Sequence, residues 1–168
     1  MSPIADIIYA GAGTNRVFAG EGNNIVVTQE GNDTVYTGSG RDFISTGAGD
    51  DTIYASEGDN WINAGIGNNT IYSGSGRDLF VLNAGVGFDT IKNFEIGKDK
   101  LGLTGGLTQN QLTIAQVNSG STFFTQISIA GSGDILARLD WTQASRLAIN
   151  SFTPNLPSSA NSQLALFG

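Results

Sequence analysis

Apolar positions recur every nine residues between Ala10 and Val81. When Gly11 is numbered as position 2 of the unit, position 4 is always glycine and position 6 is always Asp or Asn. Position 8 is always apolar and mostly β-branched: Val17, Val26, Val35, Ile44, Ile53, Ile62, Ile71 and Phe80. Degenerate units at both ends extend the array to roughly residues 2–92. A fixed period of this kind predicts a repeat architecture in which each unit contributes one short strand and one turn.

The unit resembles the nonapeptide G-G-x-G-x-D-x-U-x of RTX (hemolysin-type) calcium-binding proteins. Eight consecutive units are in register, and they cover nearly half of the chain, or more than half with the degenerate ends. The resemblance implies an all-β fold, a right-handed parallel β-roll of 18 residues per coil, with several Ca²⁺ ions between turns on the same edge. A three-residue strand that turns only position 8 inward agrees with this architecture.

The two edges of such a roll carry different sets of position-6 residues. Coils stack about 4.8 Å apart, so residues 18 apart on one edge come into contact. One edge then carries Asn15, Asp33, Asp51, Asn69 and Asp89. The other carries Asp6, Asn24, Asp42, Asn60 and Asp78. Stacked carboxylates repel one another, so we expect a cation between them.

Calcium fits these edges better than other metals do. It takes six to eight oxygen ligands, and turn carbonyls supply those that side chains do not. The glycines expected at the sites are Gly31, Gly38, Gly40, Gly47 and Gly49. Asp33 with Asp51 is the best predicted pair, because Asp–Asn pairs carry less charge. Two alternatives stay open: Asx turns without a metal, and a salt-bridge ladder of Arg41, Asp59 and Arg77.

Composition narrows the function further. The chain has 15 acidic and 8 basic residues and a pI near 4.2, which disfavours nucleic acid and anionic membranes as partners. It contains no Cys and no His, so disulfides, zinc fingers and His-based catalysis are excluded. No nucleophile with a base stands out, and we expect no enzyme and no catalytic residues. A membrane span and a general secretory signal are also not evident.

The outward positions predict two unlike faces. One face carries the polar and aromatic residues Thr34, Thr52, Thr70, Tyr36, Tyr54 and Tyr72. They are the candidate ligand face for a carbohydrate, with ice binding as a remote alternative. The other face carries the apolar row Ile7, Ile25, Phe43, Trp61 and Leu79. Such a row needs cover, either from the C-terminal part of the chain or from a subunit or partner at an interface.

The sequence after the repeats predicts a cap and a tail. Residues 1–92 are assigned to the roll, 93–152 to a β-rich cap and 153–168 to a tail. Strands are predicted in 79–85, 88–94, 112–117, 122–129 and 134–139, and a helix or final strand in 141–152. The segment GFDTIKNFEIGKDKLGL resembles the one that follows the repeats in RTX proteases and alginate epimerase modules. That resemblance implies a C-terminal type I secretion signal in the tail, and a docking strand is the alternative.

These observations predict a secreted calcium-binding repeat protein that folds on Ca²⁺ and has a structural role at the cell surface or in the extracellular matrix. Self-association is expected through the apolar row, an open N-terminal coil or the tail. The alternative is a polysaccharide-binding module, with Arg41, Arg77, Lys92, Lys98 and Lys100 as contacts.

Overall fold

The structure, a computed structural model, describes residues 4–154 and 156, which form fifteen strands and three short 3₁₀ turns. The strands are β1 Ile7–Gly11, β2 Arg16–Gly20, β3 Ile25–Thr28, β4 Thr34–Thr37, β5 Phe43–Ser45, β6 Thr52–Tyr54, β7 Trp61–Asn63, β8 Asn69–Tyr72, β9 Leu79–Leu82, β10 Asp89–Lys92, β11 Lys100–Leu103, β12 Leu112–Ser119, β13 Thr122–Ile129, β14 Ile135–Asp140 and β15 Phe152–Thr153. The 3₁₀ turns are Gln109–Gln111, Ala144–Arg146 and Ile149–Ser151. No helix in this part of the chain has the length and hydrophobicity needed to cross a membrane.

The strands divide between two sheets according to whether their number is odd or even. One sheet has the order β1-β3-β5-β7-β9-β11-β15, and the other has β12-β13-β14-β10-β8-β6-β4-β2. The chain therefore crosses to the opposite sheet after each nine-residue unit and returns 18 residues later. This architecture is the predicted parallel β-roll, and it confirms the fold class.

Strand pairing follows the 18-residue coil. Ile44 lies opposite Val26 and Ile62, and Ile53 lies opposite Val35 and Ile71. These position-8 side chains are 0–1% exposed and form the interior of the roll. Near the C-terminal end of the roll, the sequence interval between paired residues becomes longer than 18, so that Asn69 pairs with Asp89 and Leu79 with Lys100.

The sequence after the repeats continues both sheets instead of standing apart from them. The antiparallel strands β12, β13 and β14 join one sheet where β14 pairs with β10 in parallel. In the other sheet β11 pairs with β9, and β15 pairs with β11. Side chains from this region, including Leu101, Ile127 and Leu136, belong to the same core cluster as Ile44. Parallel pairing thus runs past residue 92, where the repeat sequence ends.

Two features differ from the expectations. β11 was not predicted as a strand. The segment 141–152 is neither a helix nor one strand, because it forms two 3₁₀ turns and only its last residue, Phe152, enters β15. Of the predicted tail, the expected secretion signal or docking strand lies almost wholly outside the described residues.

Candidate metal sites

The turns bring successive coils into direct backbone contact. Gly49 has φ of +141°, and a Cβ built on it would lie 2.2 Å from the carbonyl oxygen of Gly31. Gly40 and Gly22 are related in the same way, again at 2.2 Å. The position-4 carbonyls therefore point along the stack towards the next coil. Only glycine permits such a close approach of one coil to the carbonyl oxygen of the coil before it. Backbone oxygens therefore line each edge of the roll.

The position-6 side chains form one continuous ladder along each edge. On one edge the Asp33 carboxylate accepts the Asn15 N–H at 2.7 Å, and Asp51 accepts the Asp33 N–H at 2.8 Å. Asn69 then accepts the Asp51 N–H at 3.0 Å. The structure thus places the predicted pair Asp33 and Asp51 on neighbouring coils of one edge.

The opposite edge repeats the arrangement with the residues expected there. The side-chain oxygens of Asn24, Asp42, Asn60 and Asp78 accept the N–H of the position-6 residue one coil earlier, over 2.8–3.0 Å. The first of these N–H groups belongs to Asp6, whose own side chain is exposed. The position-6 residues from Asn24 to Asp78 on this edge are at most 2% exposed.

Within the part of the chain that the structure describes, four of the ladder carboxylates have one oxygen without a hydrogen-bond partner. These atoms are the buried Oδ2 oxygens of Asp33, Asp42, Asp51 and Asp78. Each Oδ1 is engaged with the preceding coil, so the carboxylate is held in place while its second oxygen lacks a donor. A buried, unpaired carboxylate oxygen is costly, and a bound cation would remove that cost.

Burial also changes the proton affinity of these carboxylates. It raises the pKa of Asp42 and of Asp51, although hydrogen bonds from the preceding coil and the nearby hydroxyl groups of Thr37 and Thr46 oppose the change. Those two hydroxyl groups donate to the carbonyls of Ala55 and Ala64, so they do not satisfy the second carboxylate oxygens. Burial raises the pKa of Asp78 and that of Asp89 to about 7. Either a proton or a metal ion would therefore stabilise the buried carboxylates at these edges.

A cation at these edges would depend on backbone oxygens. Among residues 4–154 and 156, no three or more His, Cys, Asp or Glu side chains lie close enough to hold a metal together. The turn carbonyls next to each orphaned Oδ2 must complete the ligand set. Calcium accepts carbonyl and carboxylate oxygens in flexible numbers, so the donor set fits calcium. Asp33, Asp42, Asp51 and Asp78 with the neighbouring glycine carbonyls would hold it.

Asp99 is a ladder residue that sequence reasoning missed. Its Oδ1 accepts the Asp78 N–H at 3.0 Å, and its Oδ2 accepts the Glu95 N–H at 2.8 Å. It lies 21 residues after Asp78, which puts it outside the nine-residue period. The preceding Lys98 and the DKL motif were the only signal available. On the other edge Asp89 accepts the Asn69 amide at 2.9 Å.

The apolar row is largely covered within the chain. Phe43 is fully buried and Trp61 is 8% exposed, in a cluster with Val81. Leu156 packs against this cluster, and its N–H donates to the Leu103 carbonyl at 2.9 Å. Ile25 and Leu79 are half-buried in the row, whereas Ile7 is exposed. The C-terminal part of the chain thus contributes cover to the middle of the row.

The polar and aromatic face forms two regular ladders. Thr34, Thr52 and Thr70 lie opposite one another on adjacent strands. Tyr36, Tyr54 and Tyr72 stack with centroids 4.7 Å apart and nearly parallel planes. Phe18 stacks on the other side of Tyr36 at 4.9 Å, so rings cover both faces of Tyr36 and of Tyr54. Tyr72 has Tyr54 on one side and lies opposite Lys92 on the next strand. A sugar ring therefore finds both faces of Tyr36 and Tyr54 occupied.

Comparison with known proteins agrees with this geometry. The model described as "RTX calcium-binding nonapeptide repeat (4 copies)" matches residues 5–26, 18–53, 27–60, 45–80 and 54–91, so the matches span 5–91, just over half of the chain. No curated protein matches the sequence.

Two similar solved structures are solution structures of subunits of the Azotobacter vinelandii mannuronan C5-epimerase. The AlgE6R3 subunit is 14% identical with a TM-score of 0.50, over 83% of this chain and 78% of that one. The AlgE6R2 subunit is 17% identical with a TM-score of 0.46, over 86% of this chain and 90% of that one. At such identities the likeness concerns the fold alone. By its repeats, the chain belongs to the RTX calcium-binding nonapeptide repeat family.

Proposed function

We propose that this protein is a non-catalytic calcium-binding module that is exported by a type I-like route, folds on Ca²⁺ outside the cell and has a structural role there. The observation that carries calcium binding is the set of four buried Oδ2 atoms that have no partner among the described residues. Ion binding that requires stacked turns contributes directly to folding free energy. RTX repeats are typical of secreted proteins, and calcium outside the cell is abundant enough to fill such sites.

Calcium titration tests this proposal. The full chain is prepared in a chelator and titrated to millimolar calcium while circular dichroism follows β structure. We expect a large gain of β signal, with magnesium at the same concentration giving much less. A spectrum in the chelator that already matches the one in calcium would contradict calcium-dependent folding.

Self-association is the proposed form of the structural role. Ile4, Ile7, Tyr9 and Phe18 are each more than 60% exposed, and they lie around β1 and β2, the first strands of the two sheets. A second copy stacked on these strands would cover the exposed apolar side chains and pair both strand edges. Light scattering in calcium should show a mass that rises with concentration. A monomer mass at every concentration would refute self-association.

A groove beside the apolar row favours a second candidate, binding of an acidic polysaccharide. Arg41, Arg77, Lys98 and Lys100 line a groove of about 620 Å³ together with Trp61. Four of the eight basic residues thus converge in a chain of net charge −7. Arg77 forms an ion pair with Asp59 at 2.7 Å and Lys98 one with Glu95 at 2.5 Å, so an anionic ligand must compete with both acids.

A short polyuronate oligomer tests the groove by calorimetry at fixed calcium. Binding should weaken at least tenfold in Arg77→Ala and fall with added salt, whereas Arg146→Ala, at an exposed site away from the groove, should bind like the wild type. Equal affinity for a neutral oligomer would argue against recognition of acid groups.

A further inference from the structure

Asp and Asn are held in the same way at position 6 of the unit. The Asn24 N–H donates to Asp42 Oδ1 at 2.8 Å, and the Asp42 N–H donates to Asn60 Oδ1 at 2.9 Å. Since the first side-chain oxygen has the same role in both residue types, the second atom of each occupies an equivalent place. That atom is Oδ2 in Asp and the amide nitrogen Nδ2 in Asn.

In three of the four Asn units, those of Asn15, Asn24 and Asn60, the second atom donates two hydrogen bonds to turn carbonyls, whereas in the fourth Asn69 Nδ2 donates to Asp89. Asn24 Nδ2 donates to the carbonyls of Gly20 and Gly22, both at 3.0 Å. Asn15 Nδ2 donates to those of Gly11 and Gly13, at 3.2 and 2.9 Å. The turn carbonyls are therefore satisfied by a neutral group that belongs to the same unit.

Asn60 makes the same arrangement despite a change in its turn. Its Nδ2 donates to the carbonyls of Ala55 and Gly58, at 3.3 and 3.2 Å. Ser56 takes the place of the usual glycine in this unit and has φ of +58°, so the acceptor shifts by one residue. The amide keeps its role when the backbone around it varies, which indicates that the role is a property of the side chain.

In the Asp units the same place holds an acceptor. By the nine-residue equivalence, Asp42 Oδ2 faces the turn of Gly38 and Gly40, whose carbonyl groups are also acceptors. Oδ2 of Asp42 is buried and has no hydrogen-bond partner among residues 4–154 and 156, and the same holds for Oδ2 of Asp33, Asp51 and Asp78. Acceptors gathered around a buried acceptor need positive charge between them.

We infer that the asparagine amide takes the place of the ion. The space beside the second atom of each position-6 side chain is called its slot. The amide fills the slots of Asn15, Asn24 and Asn60, and Ca²⁺ is confined to those of Asp33, Asp42, Asp51 and Asp78. The inference rests on the proposed function, because it assigns the calcium of that function to particular turns. It predicts that one atom in each unit, oxygen or nitrogen, decides whether that turn depends on calcium.

The C-terminal ends of the ladders follow the same rule with other protein groups. Asp99 Oδ2 accepts the Glu95 N–H at 2.8 Å, which supplies the donor that the Asp42 slot lacks. The Asn69 amide donates to Asp89 Oδ1 at 2.9 Å. A protein donor therefore takes the place of the cation at Asp99, whereas at Asp89 the Asn69 amide replaces the backbone donor of the other units. The orphaned oxygens of the described residues all lie between these ends and the first Asn units.

Reciprocal substitutions in the full chain test the assignment, and the measurements in EDTA are made with enough trimethylamine N-oxide to fold the calcium-free wild type. Asp42→Asn should raise the Tm in EDTA by about 2–4 °C, since the new amide can donate to turn carbonyls as Asn24 does and an unpaired carboxylate oxygen is removed. Equilibrium dialysis should show one bound calcium fewer. Asn24→Asp should lower the Tm in EDTA by a similar amount, regain it in calcium and bind one ion more. The controls Asp134→Asn and Asn110→Asp make the same charge changes at exposed sites and should alter neither quantity.

The two hypotheses fail in different ways. A lower Tm of Asp42→Asn in EDTA, or an unchanged ion count in both variants, would overturn the assignment of ions to Asp slots. If the wild type binds no calcium, the proposed function is wrong, and the order of Tm values in EDTA still decides whether the amide fills the slot. If Asn24→Asp does not fold in EDTA, its recovery on adding calcium supports the assignment, and its failure to recover counts against it.

Discussion

Glycines in the turns allow the coils to stack at the distance that the strands require. Gly65 has φ of +81°, and a Cβ built on it would overlap the carbonyl oxygen of Gly47. Gly20 has a similar φ of +78°, but a Cβ there meets nothing within 4 Å among the described residues. The two positions therefore separate the cost of the backbone conformation from the cost of a collision between coils.

Gly65→Ala should destabilise the protein much more than Gly20→Ala. A left-handed conformation costs a residue with a Cβ roughly 1–2 kcal/mol, which both variants bear. The collision at Gly65 adds about 1–3 kcal/mol, because backbone atoms must move apart. Thermal unfolding in calcium measures both variants under the same conditions. Equal losses of Tm would show that the coils yield easily and that only the backbone conformation matters.

At the scale of elements, the cover of the apolar row depends on a contact far along the chain. The row is built from the outward positions of β3, β5, β7 and β9, and Leu156 reaches it after β15. Trp61 and Phe43 lie with ring centroids 6.3 Å apart in this cluster. A tryptophan at this place reports directly on whether the cover is in position.

Leu156→Ala should partly expose Trp61. The expected loss of stability is about 1–2 kcal/mol, since Leu156 is half-buried and its removal leaves apolar surface open. In a Trp141→Phe background only Trp61 fluoresces, and its emission should shift to longer wavelength. Ile149→Ala removes a side chain that is 77% exposed and should leave the emission unchanged. An unshifted spectrum for Leu156→Ala would mean that other groups cover Trp61.

The period of the sequence explains which elements could be predicted. Every position-8 residue from Val26 to Phe80 is buried, because strict repetition determines which side chain turns inward. β11 and Asp99 were not predicted, because the sequence interval between stacked position-6 residues grows to 21 from Asp78 to Asp99. The longer interval breaks the period of the sequence although the coils continue to stack. The contact of Leu156 with the row depends on tertiary folding of a segment that has no repeat. The equivalent positions of Asp Oδ2 and Asn Nδ2 could not be predicted either, because they depend on hydrogen-bond geometry that a sequence pattern does not specify.

At the scale of the whole molecule, protons and calcium compete for the same buried carboxylates. Asp78 and Asp89 have pKa values raised to about 7 by burial, and burial also raises the pKa of Asp42, Asp51 and Asp99. Without calcium, the folded state therefore binds more protons than the unfolded state between the unfolded pKa near 4 and about pH 7. Their contribution to stability is complete below that window and is lost as the pH rises through it.

Acidification should therefore stabilise the protein in EDTA and weaken the effect of calcium. From pH 8 to pH 5, in EDTA with the same osmolyte to keep the chain folded, the Tm should rise. The free energy of unfolding should increase by up to about 1.4 kcal/mol per pH unit for each raised group. In calcium the gain over EDTA should shrink across the same range, because an ion needs the ionised carboxylate and competes with the proton. Asp78→Asn should flatten the curve in EDTA, since one of the raised groups is gone, whereas Asp134→Asn should follow the wild type. A Tm in EDTA that stays level or falls on acidification would show that these carboxylates are charged in the calcium-free fold and have other partners there.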